Sequence, residues 1–221
     1  MQLTRDEVPE QVERVLRLRD AEARRLERIY LYLRDPDPST ALGRVAWATN
    51  GPLRWLPKGV PAEVRRLAEI ARVNMLRYVV DSTVQVLYVD GFRAPNTAAE
   101  EPAWDIWQRN RMDARQTAVH RAALSYGAGY AVVLPGEPVP VIRGLSPRAL
   151  TAVYGDDDDW PELALERRRS PRPGVELYRL LDERWAWWVE VGSSRRPTVV
   201  AEEEHGVGVV PVVRFRSSLE T

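Results

Sequence analysis

The residues best suited to chemistry are few and scattered along the chain. Four consecutive aspartates, Asp156, Asp157, Asp158 and Asp159, offer carboxylate oxygens of the kind that hold Ca2+ or Mg2+. A helix–loop–helix calcium site needs spaced ligands, a central glycine and a distal glutamate, and the run lacks that pattern. It follows Tyr154-Gly155 between two strand-like segments, so a solvated turn without metal is the expectation. His120 and His205 are the two histidines. A general base needs an orienting partner and a substrate within reach. Gln116 and Leu124 stand one helical turn either side of His120, so it reads as a hydrogen-bonded structural residue. His205 follows Glu202-Glu203-Glu204, and one histidine beside adjacent carboxylates is a sparse ligand set for a metal.

Gly206 and Gly208 stand outside any phosphate-loop or dinucleotide-binding pattern, and no serine sits in a nucleophile elbow. Trp185, Trp187 and Trp188 could stack bases. On a strand, however, Trp185 and Trp187 share one face and Trp188 takes the other, so packing on both sides of a sheet accounts for them. Arg167-Arg168-Arg169 precedes Ser170-Pro171-Arg172-Pro173, a hairpin-like loop, and reads as a solvated rim with a partner contact as the alternative. No residue is nominated as catalytic, cofactor-binding or metal-binding, and no enzyme is expected.

Composition narrows the classes further. The 221 residues are 44% hydrophobic, which is enough for a core, and contain no cysteine, which excludes disulfides and thiolate metal sites. Basic and acidic side chains balance at 32 each, which removes the usual electrostatic case for a free nucleic-acid binder. Lys58 is the one lysine among the basic residues. Arginine suits bidentate pairing at protein interfaces, although a GC-rich genome gives the same bias. No apolar run reaches bilayer-spanning length. The opening residues Met1 to Glu7 lack the apolar stretch of a secretory signal, so the chain is expected to remain in the compartment of its synthesis.

Periodicity sets out the elements. Apolar residues recur at three- and four-residue spacing over 8–33, which predicts a helix ended by Asp35-Pro36-Asp37-Pro38. An irregular connection rich in Trp, Gly and Pro follows over 41–61. A second helix is expected over 61–83, burying Val64, Leu67, Met75, Tyr78 and Val79. Residues 84–92 have strand chemistry, closed by Asp90-Gly91. A polar loop over 93–101 leads to a third helix over 102–126, with Trp104, Trp107, Ala114, Ala118, Ala122 and Tyr126 as its stripe. Short strands then follow at 130–134, 139–142, 150–154, 162–167, 176–181, 185–191, 198–202 and 209–215. Helices followed by strands predict an α+β fold, N-terminal helices leading into a mostly antiparallel β-rich region.

Four patches, taken in order, resemble the wing half of portal proteins from long-tailed phages of actinobacteria and related hosts. The first runs from Asn74-Met75-Leu76-Arg77-Tyr78-Val79-Val80-Asp81 to Val89-Asp90-Gly91-Phe92. The second comprises Trp107-Gln108-Arg109-Asn110, Asp113, His120 and Tyr126-Gly127-Ala128-Gly129-Tyr130. Leu145-Ser146-Pro147 with Tyr154-Gly155-Asp156 is the third, and Glu204-His205-Gly206 through Pro211-Val212-Val213-Arg214-Phe215 the fourth. Two departures stand out: Arg216 follows Phe215 where the family usually has Asn, and family chains continue into stem helices, a clip and a crown, the stem beginning near Thr221.

The resemblance implies a structural head–tail connector subunit, with an arm and connection over 1–60 and a wing-like domain over 61–221. It implies a homo-oligomeric ring, typically of twelve, at one capsid vertex of the virion, made in the host cytoplasm. Implied partners are the major capsid protein, the packaging terminase, a head–tail adaptor and double-stranded DNA passing without sequence readout, with no membrane. The alternative is an unrelated α+β protein-interaction module. The helix over 8–33 has two possible courses: a subunit boundary, contacted through Leu26, Ile29, Tyr30 and Leu33, or its own domain.

Overall fold

The computed structural model describes residues 1–34, 57–70, 74–93 and 100–217. Most of the expected connection over 41–61, the proline-rich break at 35–39 and much of the loop over 93–101 lie outside the described residues.

Helix α1 (Val8–Leu33) forms where the periodicity places it. Thr4 donates its backbone N–H (2.8 Å) and its hydroxyl (2.6 Å) to the Glu7 carboxylate, which fixes the chain's entry into the helix. Pro9 sits in the first turn, where its missing N–H costs nothing. Val8, Val12 and Val15 are wholly buried, each contributing roughly 1.5–3 kcal/mol of transfer free energy. Their stripe lies on the protein's own sheet, so α1 takes the second of its two courses; Leu26 is also buried, and Ile29, Tyr30 and Leu33 are half-buried.

That sheet has five antiparallel strands in the order β3-β4-β5-β6-β7: β3 (Leu150–Val153), β4 (Leu163–Arg168), β5 (Glu176–Leu181), β6 (Trp185–Val191) and β7 (Pro197–Glu204). A second, three-stranded antiparallel sheet has the order β2-β1-β8: β1 (Ala128–Leu134), β2 (Val141–Leu145) and β8 (Val212–Arg216). Alternation along the strands divides the core in two. Leu163, Leu165, Tyr178, Leu180, Trp187, Val189 and Val191 face α1. Ala164, Leu181 and Ala186, on the opposite face, pack with Tyr130, Val132 and Val212 of the smaller sheet.

The outer face of the smaller sheet is covered by helix α5 (Met112–Tyr126). Two glycines allow the close approach: a Cβ at Gly129 would lie 2.6 Å from the Val119 carbonyl oxygen, and one at Gly144 2.5 Å from Val119 Cγ2. The layers are therefore helix, sheet, sheet, helix, the predicted α+β architecture.

The helices between residues 61 and 126 depart from expectation. The segment expected as one helix over 61–83 forms α2 (Ala62–Ile70) and α3 (Met75–Val86), the second begun by Asn74, whose Oδ1 accepts the Arg77 N–H at 3.0 Å. Val64, Leu67, Met75, Tyr78 and Val79 are exposed, and α3 instead buries Val84. The strand expected over 84–92 does not form: α3 runs on through Val86, and residues 87–93 pair with no strand among the described residues. Here α5 side chains do the work of a ladder, because Gln116 Oε1 accepts the Val89 N–H at 2.8 Å and His120 Nδ1 meets the Leu87 carbonyl at 3.2 Å.

The expected helix over 102–126 is likewise two, α4 (Glu100–Arg109) and α5. At the break Arg111 takes a left-handed conformation, φ 53°. Buried Asn110 links the break to β2, donating to the Ile106 and Pro140 carbonyls (2.9 and 2.8 Å) and accepting from Ile142 N–H (2.8 Å). The interruption changes the helical phase, so α5 buries Met112, Gln116, Val119, Ala122 and Ala123 while Ala114 and Ala118 are exposed. Six of the eight strands keep their expected cores with small changes at the ends; β2 begins later, at Val141, and β8 at Val212, after Pro211, which has no N–H to donate.

Candidate functional site

Between the two sheets lies a charge cluster that the sequence did not advertise. Glu166 of β4, its side chain 1% exposed, receives three guanidinium groups. Arg179 donates to Oε2 through Nη2 (2.6 Å) and Nε (3.1 Å), Arg168 to Oε1 at 2.9 Å, and Arg143 to the same Oε1. Burial alone would raise the Glu166 pKa. Arg179, the Arg168 hydrogen bond and Arg143 together outweigh burial and hold the carboxyl below the usual carboxylate range. Arg168 and Arg179 also lie over the Trp188 ring, at 5.8 and 5.6 Å from its centroid. The available signal was a glutamate and an arginine on the strand face otherwise carrying Ala164 and Leu181.

Of the basic run, then, Arg168 turns inward. Arg167 pairs with Glu176 at 2.8 Å and Arg172 with Glu190 at 2.9 Å across the hairpin. Trp185 and Trp187 share a face, ring centroids 5.8 Å apart, and Trp187 is buried beneath α1.

His205 is buried in a polar knot. The Val207 N–H donates to its Nδ1 at 3.3 Å, so the ring proton resides on Nε2 and is donated to the Asp182 carbonyl at 3.0 Å. Both ring nitrogens are thereby engaged within the protein. The carboxylate of Asp182, fully buried at the β5–β6 turn, accepts four N–H groups: Arg184 (2.7 Å), Trp185 (2.6 Å), Trp187 Nε1 (2.9 Å) and Leu3 (3.1 Å). The Leu3 bond pins the N-terminal segment to the sheet. Only the run Leu181-Asp182-Glu183-Arg184-Trp185, a turn between two apolar strands, hinted at it.

Two of the four aspartates have side-chain partners within the protein. Asp157 Oδ1 accepts the Asp159 and Trp160 N–H groups at 2.8 and 3.3 Å, and Asp158 pairs with Arg214 (3.4 Å) and Arg216 (3.0 Å). Among the described residues, no three His, Cys, Asp or Glu side chains gather where they could hold one metal ion, and no helix is long and apolar enough to cross a membrane.

Many apolar side chains are instead exposed on α2, on α3 and in the segment that follows it. Leu67 of α2 is 64% exposed, Tyr78 of α3 62% and Val86 79%. Met75, Leu76, Val79, Leu87, Tyr88 and Phe92 are exposed with them. Phe92 stands edge-on to Trp104 and to the buried Trp107 (5.7 and 5.3 Å), which ties the segment to α4. Exposed apolar side chains that come together in a patch mark sites of protein association.

The chain, a four-layer α+β unit, belongs to the family described as "Phage portal protein, SPP1 Gp6-like", whose match covers residues 19–220. Among curated proteins it is similar to the "Portal protein" of Mycobacterium phage L5, 27% identical over 179 residues, which covers 70% of this chain and 33% of that protein. The "Portal protein" of Mycobacterium phage D29 is 27% identical over 175 residues, covering 70% of this chain and 34% of its own length. The chain thus spans about a third of the length of these relatives. The family match disfavours the alternative of an unrelated interaction module.

Proposed function

We propose that this chain is the wing-like part of a portal subunit, a structural protein without catalytic activity. In this reading residues 61–221 form the wing-like domain and residues 1–60 its helical arm. Copies assemble into a closed ring, typically of twelve, at one capsid vertex of the virion after synthesis in the host cytoplasm. Double-stranded DNA passes through the ring during packaging and ejection, and its flanks meet the major capsid protein, the packaging terminase and a head–tail adaptor. Balanced charge suits this role, since strong phosphate neutralisation would hold a polymer that has to slide.

The observation that carries the reading is the set of large apolar side chains, among them Leu76, Val79, Val86 and Tyr88, left exposed on α3 and residues 87–92. Sedimentation velocity and negative-stain imaging of the chain test it, with ring-shaped oligomers as the expected outcome. Replacing Leu76 and Val79 by aspartate should abolish association while changing fold stability by no more than about 0.5 kcal/mol, because both side chains are exposed. A chain that stays monomeric at high concentration, or a double variant that assembles like the parent, would refute the reading.

A further inference from the structure

The five-stranded sheet carries an arginine cluster at one end and a glutamate row at the other, where Arg184 pairs with Glu204 at 2.8 Å. Glu176 pairs with Val191 and Val191 with Pro197, so the β4–β5 hairpin tip lies level with the start of β7. Glu204 pairs with Trp185 at the far end. At the hairpin, Arg167, Arg168, Arg169 and Arg172 line a cleft of about 450 Å3 with one carboxylate, Glu176. Arg169 has no ion pair among the described residues, and the other three each use only part of a guanidinium's five donors. At the far end Glu202, Glu203 and Glu204 are exposed on β7, the last strand of its sheet. Glu203 has no ion pair among the described residues, and Glu202 has a long one, 3.5 Å to Arg5. The charges of the whole chain cancel, so the cleft is a local pole and not part of a general basic excess.

We propose that the arginine cleft of one copy takes the Glu202 and Glu203 carboxylates of the next copy. Planar guanidinium groups match carboxylates bidentately, and complementary rim charges fix register and suppress wrong pairings. The two patches are different surfaces at opposite ends of a subunit. Their contact is therefore heterologous and propagates in one direction, closing when the rotation per subunit permits. The proposal rests on the ring-assembly reading and adds to the exposed apolar side chains a polar contact that sets orientation. The glutamate row also keeps the β7 edge from recruiting stray strands, and a side-chain contact leaves that protection in place.

The test uses three variants of the full chain: R169E with R172E, E202R with E203R, and all four together. Each double variant should raise the concentration needed for half-association by roughly tenfold or more, and the fourfold variant should recover most of the loss. Parent association should weaken between about 50 and 500 mM salt, as charge screening requires. If the parent associates but the hairpin variant matches it, or the fourfold variant fails to recover, this contact is wrong and the ring reading stands. A parent that never associates overturns both. Binding of inorganic phosphate that is lost in R169E/R172E while association is unchanged would assign the cleft to a phosphate ligand and overturn the proposal.

Discussion

Arg179 gives two hydrogen bonds to a single oxygen of Glu166, at 2.6 and 3.1 Å, from a side chain itself only 8% exposed. The other oxygen serves Arg143 and Arg168, so one carboxylate compensates three guanidinium groups between the sheets. Removing it leaves their charge uncompensated in a region of low polarity. Glu166→Gln should therefore cost roughly 3–5 kcal/mol of unfolding free energy in urea. A loss under about 1 kcal/mol would mean that water reaches the cluster.

Acid should expose the same carboxylate. The Glu166 pKa is held below its unfolded value, so its contribution is complete above the unfolded pKa, about 4.3, and is lost as pH falls through the lower folded value. Urea midpoints of the parent and Glu166→Gln should differ fully at neutral pH and converge below about pH 4. A gap that stays constant down to strong acid would contradict the depressed value.

Asp182→Ala strips four N–H donors of their acceptor, two of them at the start of β6 and one in the N-terminal segment. Stability should fall by roughly 2–4 kcal/mol. Limited trypsin digestion should also cut after Arg5 much faster than in the parent, since Leu3 is no longer tied down. Unchanged cleavage would show that Met1 and Glu183, joined at 3.1 Å, suffice to hold the segment.

Gly129→Ala tests the packing of α5 on the smaller sheet. The added methyl would sit 2.6 Å from a backbone oxygen of α5, an atom that cannot step aside alone. A loss of roughly 1–3 kcal/mol is expected in thermal unfolding. Gly174→Ala is the comparison, because nothing stands within 4 Å of its Cβ position and only its φ of 75° opposes the change.

The sheets were legible because each strand's alternation is local, as the agreement over 176–181 and 185–191 illustrates. Helical phase was less so. Asn110 interrupts the third predicted helix by satisfying backbone groups in β2, thirty residues away, and no local pattern announces that. The stripe of Val64, Leu67, Met75, Tyr78 and Val79 is apolar and its periodicity predicts a core position, yet all five side chains are exposed. Residues 87–93 have strand composition but pair with no strand among the described residues, and Gln116 and His120 take the place of a ladder. The Glu166 cluster draws in Arg143 from another strand and the Asp182 knot draws in Leu3 and His205, and those long-range members are what no local run announces.

Helix α1 finally has a mechanical meaning. Its 26 residues make a rod about 39 Å long. It is clamped near its foot by the Leu3–Asp182 bond, along its length by Arg19 on the Arg148 carbonyl and Glu27 on the Arg148 side chain, and at its head by Asn74 on the Tyr32 carbonyl. Tied at both ends and along its length, the helix joins α3 to the larger sheet, and the two are expected to tilt together as one lever.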